Sequence, residues 1–326
     1  MRAAVHTRYG PPDVVQVMDV ARPAGKDNEL LVKVHATTVN RTDCGFRAAK
    51  PFLARLATGL FRPRVTVLGT EFAGVVAAVG SGVTSFAVGD RVFGYCEGRF
   101  GAHAEFLSVP EDGSLATVPS QLSFEEAAPS TEGSHYALSM FRWAKLRNGQ
   151  DILVNGATGA IGSAAVQLAK SLGATVTATC GTRHLDLVRG LGADRVIDYQ
   201  TEDFTTHDEQ RYDVVLDAVG KSTFGRCRRL LKPGGTYVSS EVGPWSQNLA
   251  LALVTPLLGG RKVRFPIPAH DQQMVKRLKE LIESGGFKPV IDRRYPLDQI
   301  VEAYRYVETG QKVGNVVVSV APPEAA

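Results

Sequence analysis

The run ILVNGATGAIGSAAVQLAKSLGA, residues 152–174, restricts the fold more than any other part of the chain. An apolar stretch stops at Asn155, glycines stand at Gly156, Gly159 and Gly162, and a helix-forming segment rich in Ala and Leu follows. That order reads as strand, tight turn, helix. Gly156 turns the chain, Gly159 lets main-chain N–H groups approach a pyrophosphate, and Gly162 lets the helix lie close to the sheet. The helix N-terminus adds partial positive charge and unpaired donors. A second strand, TVTATC, arrives on schedule. We therefore read Gly156, Ala157, Thr158, Gly159, Ala160, Ile161 and Gly162 as a dinucleotide-binding loop.

At 326 residues the chain exceeds what one hydrophobic core serves, so two domains are expected. From the start to about residue 121, β-like runs such as ELLVKVHATTV, TEFAGVVAAVG, GDRVFGY and AHAEFLSVP alternate with turn dipeptides, which predicts an antiparallel, barrel-like unit. Ser123, with Glu126 at capping-box distance, begins a helix reaching toward Leu146. Beyond it strands (DILVNG, TVTATC, DRVIDY, YDVVLDAV, TYVSSEV, KVRFPIP) alternate with helices (GSAAVQLAKSLG, HLDLVRGLG, TFGRCRRLLKPGG), the pattern of a parallel sheet built from crossovers. Two amphipathic helices and a strand, VGNVVVSV, close the chain. The expected division is 1–122 with 268–326, and 123–267.

Charge excludes some functions. A formal net charge of +4 without a dense basic run argues against nucleic acid as a main partner. Four cysteines far apart form no zinc-binding cluster and no disulfide framework. The first residues lack a signal-peptide core, and LALALVTPLL is broken by Pro256 and too short to span a bilayer, so a cytoplasmic location is expected.

An NAD site usually ends its second strand near a carboxylate that binds the ribose hydroxyls. Here Cys180, Gly181, Thr182 and Arg183 follow instead, with N–H, hydroxyl and guanidinium donors suited to a 2′-phosphate. Tyr199, from the next strand, is placed to add its hydroxyl. NADP(H) is the expected cofactor; the alternative for Arg183 is an ordinary solvent-facing arginine.

The order of parts, with YGPPDVVQV, VNRTD, LGTEFAGVVAAVG, VGDRVFG, GADRVIDY and LDQIVEAYRYVETGQKVGNVVVSV, resembles the medium-chain dehydrogenase/reductase superfamily, and within it the zinc-free quinone oxidoreductase branch. The resemblance covers nearly the whole chain. It implies an α/β fold, with a Rossmann-type doubly wound parallel sheet domain and a β-rich, GroES-like barrel catalytic domain. It also extends the cofactor surface to Ser134, Ala218, Val219, Glu241, Val242, Phe265, Pro266, Ile267 and Asn315. Zinc-dependent relatives carry metal ligands where this chain has Asn40, Thr70 and Ser130, residue types that do not hold zinc, so no metal is expected.

Without a Lewis acid an already electrophilic acceptor is the fitting substrate: a quinone or an α,β-unsaturated carbonyl, reduced by hydride in a dry cleft between the domains. The resemblance brings Asn40, Asp43, Thr70 and Glu71 toward that chemistry, with Glu71 alternatively a structural hydrogen-bond acceptor and Asn40 a turn residue. Glu132 and His135, one helical turn apart, form a candidate proton-donating pair, or His135 is simply satisfied in the interior. The segment 45–65 is a lid or a surface helix. The apolar stripe after Trp245 serves a bulky apolar acceptor, the core or a dimer. A homodimer through the edge strand at 263–265 is expected. The competing activities are an NADP-linked alcohol/aldehyde dehydrogenase and an NADPH-binding structural or redox-sensing protein without turnover.

Overall fold

The computed structural model describes residues 1–50, 55–96, 98–266 and 272–321. Its chain forms two compact units, Met1–Glu132 with His270–Ser284 and Pro289–Ala326, and Gly133–Ala269 with Gly285–Lys288. The strands in chain order are β1 Arg2–His6, β2 Val15–Asp19, β3 Glu29–Val39, β4 Glu71–Val79, β5 Arg91–Tyr95, β6 Phe106–Pro110, β7 Leu115–Thr117, β8 Asp151–Asn155, β9 Thr175–Cys180, β10 Arg195–Asp198, β11 Tyr212–Asp217, β12 Leu231–Ser239, β13 Lys262–Arg264, β14 Ile291–Pro296 and β15 Asn315–Ser319.

The second unit is a six-stranded parallel sheet in the order β10-β9-β8-β11-β12-β13. Counted from β8, this is the doubly wound dinucleotide-binding order, with its reversal beside β8. Ile152, Leu153 and Val154 are fully buried in succession, as a strand covered on both faces requires. The helix Ala160–Ser171 buries Gly162, Ala164, Ala165, Val166, Leu168 and Ala169. Gly173, at φ +83°, ends it in the left-handed region.

The first unit is a seven-stranded sheet, β14-β15-β3-β4-β5-β7 with β6 also on β3. All its pairs are antiparallel except β14 with β15. Leu30, Val32, Val34, Phe72, Val76 and Val92 form its core. The architecture is thus a Rossmann-type parallel sheet plus a β-rich GroES-like unit.

Some expected elements differ. Ser123 does make its capping box with Glu126, but the helix stops at Ala127 and resumes as Glu132–Ala144. Pro129 lies between, and a ring without an N–H interrupts the ladder. This short helix and turn belong to the first unit, so the units divide after Glu132, beyond the residue 122 expected. The helix expected over TFGRCRRLLKPGG is Phe224–Cys227 followed by a 3-10 turn, Arg228–Leu230, and it stops there because β12 starts at Leu231, which pairs with Tyr212. Strand pairing across the sheet overrides local helix propensity there. Among its described residues KVRFPIP keeps three in a strand, 262–264. In the segment 45–65, Arg41–Ala48 and Arg55–Thr58 are helical, and 51–54 lie outside the described residues, as does Ile267. Among the described residues no helix is long and apolar enough to cross a membrane.

Candidate active site

In the second unit the glycine loop leaves the carboxyl end of β8. Gly156 has φ +83°, and a Cβ on it would lie 2.5 Å from Val219 Cγ1. A Cβ on Gly162 would lie 2.1 Å from the Gly156 carbonyl oxygen, so helix and loop touch only because that side chain is missing. Gly159 is different: its nearest neighbour would be 3.9 Å away, on an open side. It is the N-cap of Ala160–Ser171 and provides no side-chain cap, which leaves first-turn donors for a ligand. The loop is braced from below. Thr179 Oγ1 accepts from Gly156 N (3.1 Å) and donates to Asn155 Oδ1 (2.7 Å), and Asn155 Nδ2 donates to Asp217 Oδ1 (3.0 Å). Asp217 also accepts from Val219 N and Ser222 N, fixing the turn after β11. Asn155, Thr179 and Asp217 were not singled out by sequence, where they read only as strand ends.

Cys180, Ala218, Val219, Glu241, Val242, Phe265 and Pro266 all stand at or just past the carboxyl ends of β9, β11, β12 and β13, on the same rim as the loop. The Cys180 thiol is buried, and burial pushes its pKa up to about 11. The Tyr199 hydroxyl lies beside Gly181, 3.2 Å from where a Cβ would stand. Arg183 is exposed and has no protein partner among the described residues. Thr182 is less free than expected. Its hydroxyl meets Asp198 Oδ2 (2.5 Å) and Gln200 Oε1 (3.0 Å). A carboxylate therefore does stand near this end, contributed by the third strand rather than the second. The Ser134 hydroxyl is buried without a hydrogen-bond partner among the described residues. His135, on the same helix, is buried.

The first unit gathers most of its expected residues into two hydrogen-bonded groups, one around Asn40 and one around Glu71. Asn40 caps the helix Arg41–Ala48, accepting from Asp43 N at 2.9 Å, while Asp43 Oδ2 accepts from Asn40 N at 3.1 Å. Asp43 Oδ1 also accepts from Gly69 N (3.0 Å). Asn40 Nδ2 donates to Thr70 Oγ1 at 2.7 Å. Glu71 is fully buried and accepts four bonds: from Thr38 Oγ1 (2.6 Å), Thr131 N (3.0 Å), Thr131 Oγ1 (2.9 Å) and Glu132 N (2.6 Å). Burial pushes its pKa above the usual carboxylate range, and the donors pull the other way. Glu132 Oε1 accepts from Thr42 Oγ1 at 2.7 Å. Asn315 Nδ2 is spent on the Val290 carbonyl (3.0 Å).

Other residues of this unit were missed by sequence reasoning. Thr42 sits one residue before the expected Asp43. Lys312 is partly buried; burial pulls its pKa down, while Glu132, Glu71 and Asp292 pull it up. His103 is buried with Nε2 2.7 Å from the Thr38 carbonyl, and burial pulls its pKa down to about 4. The positions where zinc-dependent relatives hold metal do not fit a zinc ion: Asn40 and Thr70 bond each other, and the Ser130 hydroxyl donates to the Glu126 carbonyl at 3.0 Å.

Residues 26–120 match the family described as alcohol dehydrogenase GroES-like domain, and 191–318 the family described as zinc-binding dehydrogenase. The chain is 36% identical over 334 residues to a 2-methylene-furan-3-one reductase of Solanum lycopersicum, covering 99% of this chain and 80% of that protein. It is 34% identical to a chloroplastic NADPH-dependent alkenal/one oxidoreductase of Arabidopsis thaliana, with the same shares covered. The solved quinone oxidoreductase of Coxiella burnetii superposes with a TM-score of 0.88 at 29% identity, covering 98% of this chain and 99% of that one. Sheet order, glycine loop and these similarities define a medium-chain dehydrogenase/reductase, and the chain belongs to that superfamily. Its place there is the quinone oxidoreductase-like branch, and it is an oxidoreductase.

Proposed function

We propose that the protein is an NADPH-dependent reductase of conjugated enones or quinones that works without a metal. One observation carries this reading. The side chains at the metal-ligand places are spent on each other and on a backbone carbonyl, so charge arriving on an acceptor oxygen falls to hydrogen-bond donors. The names of the alkenal/one oxidoreductase and the furanone reductase support the acceptor class, and the former supports NADPH.

Bound NADPH would supply the hydride. The chain's own residues do the rest. Gly159 and the first turn of Ala160–Ser171 receive the pyrophosphate, and Arg183, with Tyr199 and Gly181, meets the 2′-phosphate against the opposing charge of Asp198. The electron pair that hydride addition drives onto the acceptor oxygen is then matched by one proton. That proton comes from water: once taken up by Glu132 it can pass through the Thr42 hydroxyl, which bonds the Glu132 carboxyl, to the acceptor oxygen, and a protonated His135, on the same helix as Glu132, is a second donor. Asn40, Asp43, Thr70 and Glu71 hold this frame in place.

A metal assay followed by an NADPH-oxidation screen over enones and quinones tests the reading. Turnover in a chelator, without stoichiometric zinc, is the expected result; zinc-dependent turnover overturns it. Alcohol-driven NADP⁺ reduction that disappears in His135→Ala points instead to a dehydrogenase, and tight NADPH binding without turnover to a binding protein. Arg183→Glu weakens NADPH by about thirtyfold and barely changes NADH.

We also propose a homodimer joined along β13. This strand is the free edge of its sheet, and exposed Trp245, Leu253, Leu257 and Leu258 continue from it. Leu257→Glu with Leu258→Glu then yields monomers in sedimentation; an unchanged dimer places the interface elsewhere. A cytoplasmic location is part of the same proposal, although a relative is named chloroplastic.

A further inference from the structure

The second unit has a cavity of about 310 Å³ that the proposed reaction does not use. It lies where the strands begin: Gln150 precedes β8, Asp213 is near the start of β11, and Lys262 opens β13. The glycine loop leaves β8 from its other end, five residues on, which in extended chain is roughly 16 Å away. The cavity and the phosphate loop are therefore separate places.

Four cationic side chains line it. Lys145 and Arg147 come from the turn after the helix Glu132–Ala144, and Lys262 and Arg264 from β13. Alternation along the strand puts the latter two on one face, with Val263 fully buried on the other. Cations after a helix C-terminus are common, because they complement its exposed carbonyls. The pair on β13 has no such reason to be there. Among the described residues none of the four has a carboxylate partner. The one lining carboxylate, Asp213, bonds elsewhere through Oδ2, which accepts from Asp151 N (2.9 Å) and from Lys232 Nζ (2.7 Å). Lys232 is shared with Asp151 (2.7 Å), so this group of two carboxylates and one ammonium offers a single net negative charge against the four cations that line the concavity. Trp143, 45% exposed, adds an aromatic surface to its wall.

We propose that this cavity is a second ligand site, which binds a small polyphosphate anion of up to nucleotide size. Guanidinium forks and ammonium point charges suit phosphate oxygens, and the volume is at the small end of ligand sites. Binding relieves the mutual repulsion of the four cations and stabilises the unit by linkage.

The test uses full-length protein saturated with NADPH, so that the glycine loop is filled, titrated calorimetrically with tripolyphosphate and with ATP. One saturable site per chain is expected, weakened by about tenfold in Lys145→Gln with Arg147→Gln while NADPH affinity stays the same. That double variant lies off the proposed dimer edge; Lys262→Gln is the second variant and weakens the same site. Tighter binding of ATP than of tripolyphosphate, lost in Trp143→Ala, assigns a nucleotide; equal binding assigns the phosphate chain alone. Absence of saturable binding, equal binding to wild type and both variants, or displacement of NADPH by the anion overturns the proposal.

Discussion

Glu71→Ala removes the acceptor for four donors at once. The two hydroxyls, on Thr38 and Thr131, can rotate to other acceptors. The N–H groups of Thr131 and Glu132 cannot, since the backbone holds them against a site that is fully buried. Each orphaned donor costs ~1–3 kcal/mol, and release of a buried carboxylate offsets part of that, which leaves a net destabilisation of about 3 kcal/mol. Glu71→Gln keeps an amide oxygen for the two N–H groups and turns its NH₂ toward Thr38 Oγ1, so its cost is only about 1 kcal/mol. Urea unfolding gives both values, and amide hydrogen exchange at Thr131 and Glu132 shows where protection is lost. An alanine variant within about 1 kcal/mol of wild type refutes the reasoning, because an orphaned pair of donors cannot be that cheap. Activity separates structure from chemistry. If Glu71 is an acceptor that holds the frame, the glutamine variant keeps its turnover within about tenfold; a folded variant inactive by more than that puts the carboxylate in the reaction itself.

The two loop glycines respond differently to a methyl group. Gly159→Ala leaves the thermal midpoint unchanged, since its Cβ faces open space, yet it weakens NADPH by about tenfold by blocking backbone approach. Gly162→Ala lowers both stability and affinity, because its Cβ meets loop backbone; equal behaviour of the two variants contradicts this division. His103 gives a pH signature. Its pKa is about 4 when folded, against about 6.5 when unfolded, so the unfolded chain takes up the proton first. Its contribution is complete above the unfolded value and is lost as pH falls, by about 3 kcal/mol at pH 4. Denaturation midpoints from pH 7 to 4 fall less steeply in His103→Gln; a parallel slope removes His103 as the source. His6, also shifted down by burial, accounts for part of the residual slope.

Much of this molecule was legible in order along the chain. Gly156, Gly159 and Gly162 have the three distinct surroundings that their spacing implied, because a turn, an open approach and a close packing are each set by a few neighbouring residues. The capping box of Ser123 with Glu126 and the strand Glu29–Val39 followed from pattern for the same reason. Where local preference and distant pairing disagreed, sequence reasoning stopped short. Leu231 left its helix for a strand because Tyr212 offered a ladder partner, and Asp198 approached Thr182 across strands β10 and β9.

The sequence by itself determined the alternation of elements, the glycine turn between β8 and its helix, and the residue types at Asn40, Thr70 and Ser130, since each depends on backbone freedom, periodicity or the chemistry of one side chain. Only the tertiary structure decided that Glu71 is held by four donors, that Thr42 meets Glu132, and that four cations surround a cavity at the far end of the sheet. Those contacts join residues far apart in the chain, and their distances are set by how the sheets pack rather than by any local pattern.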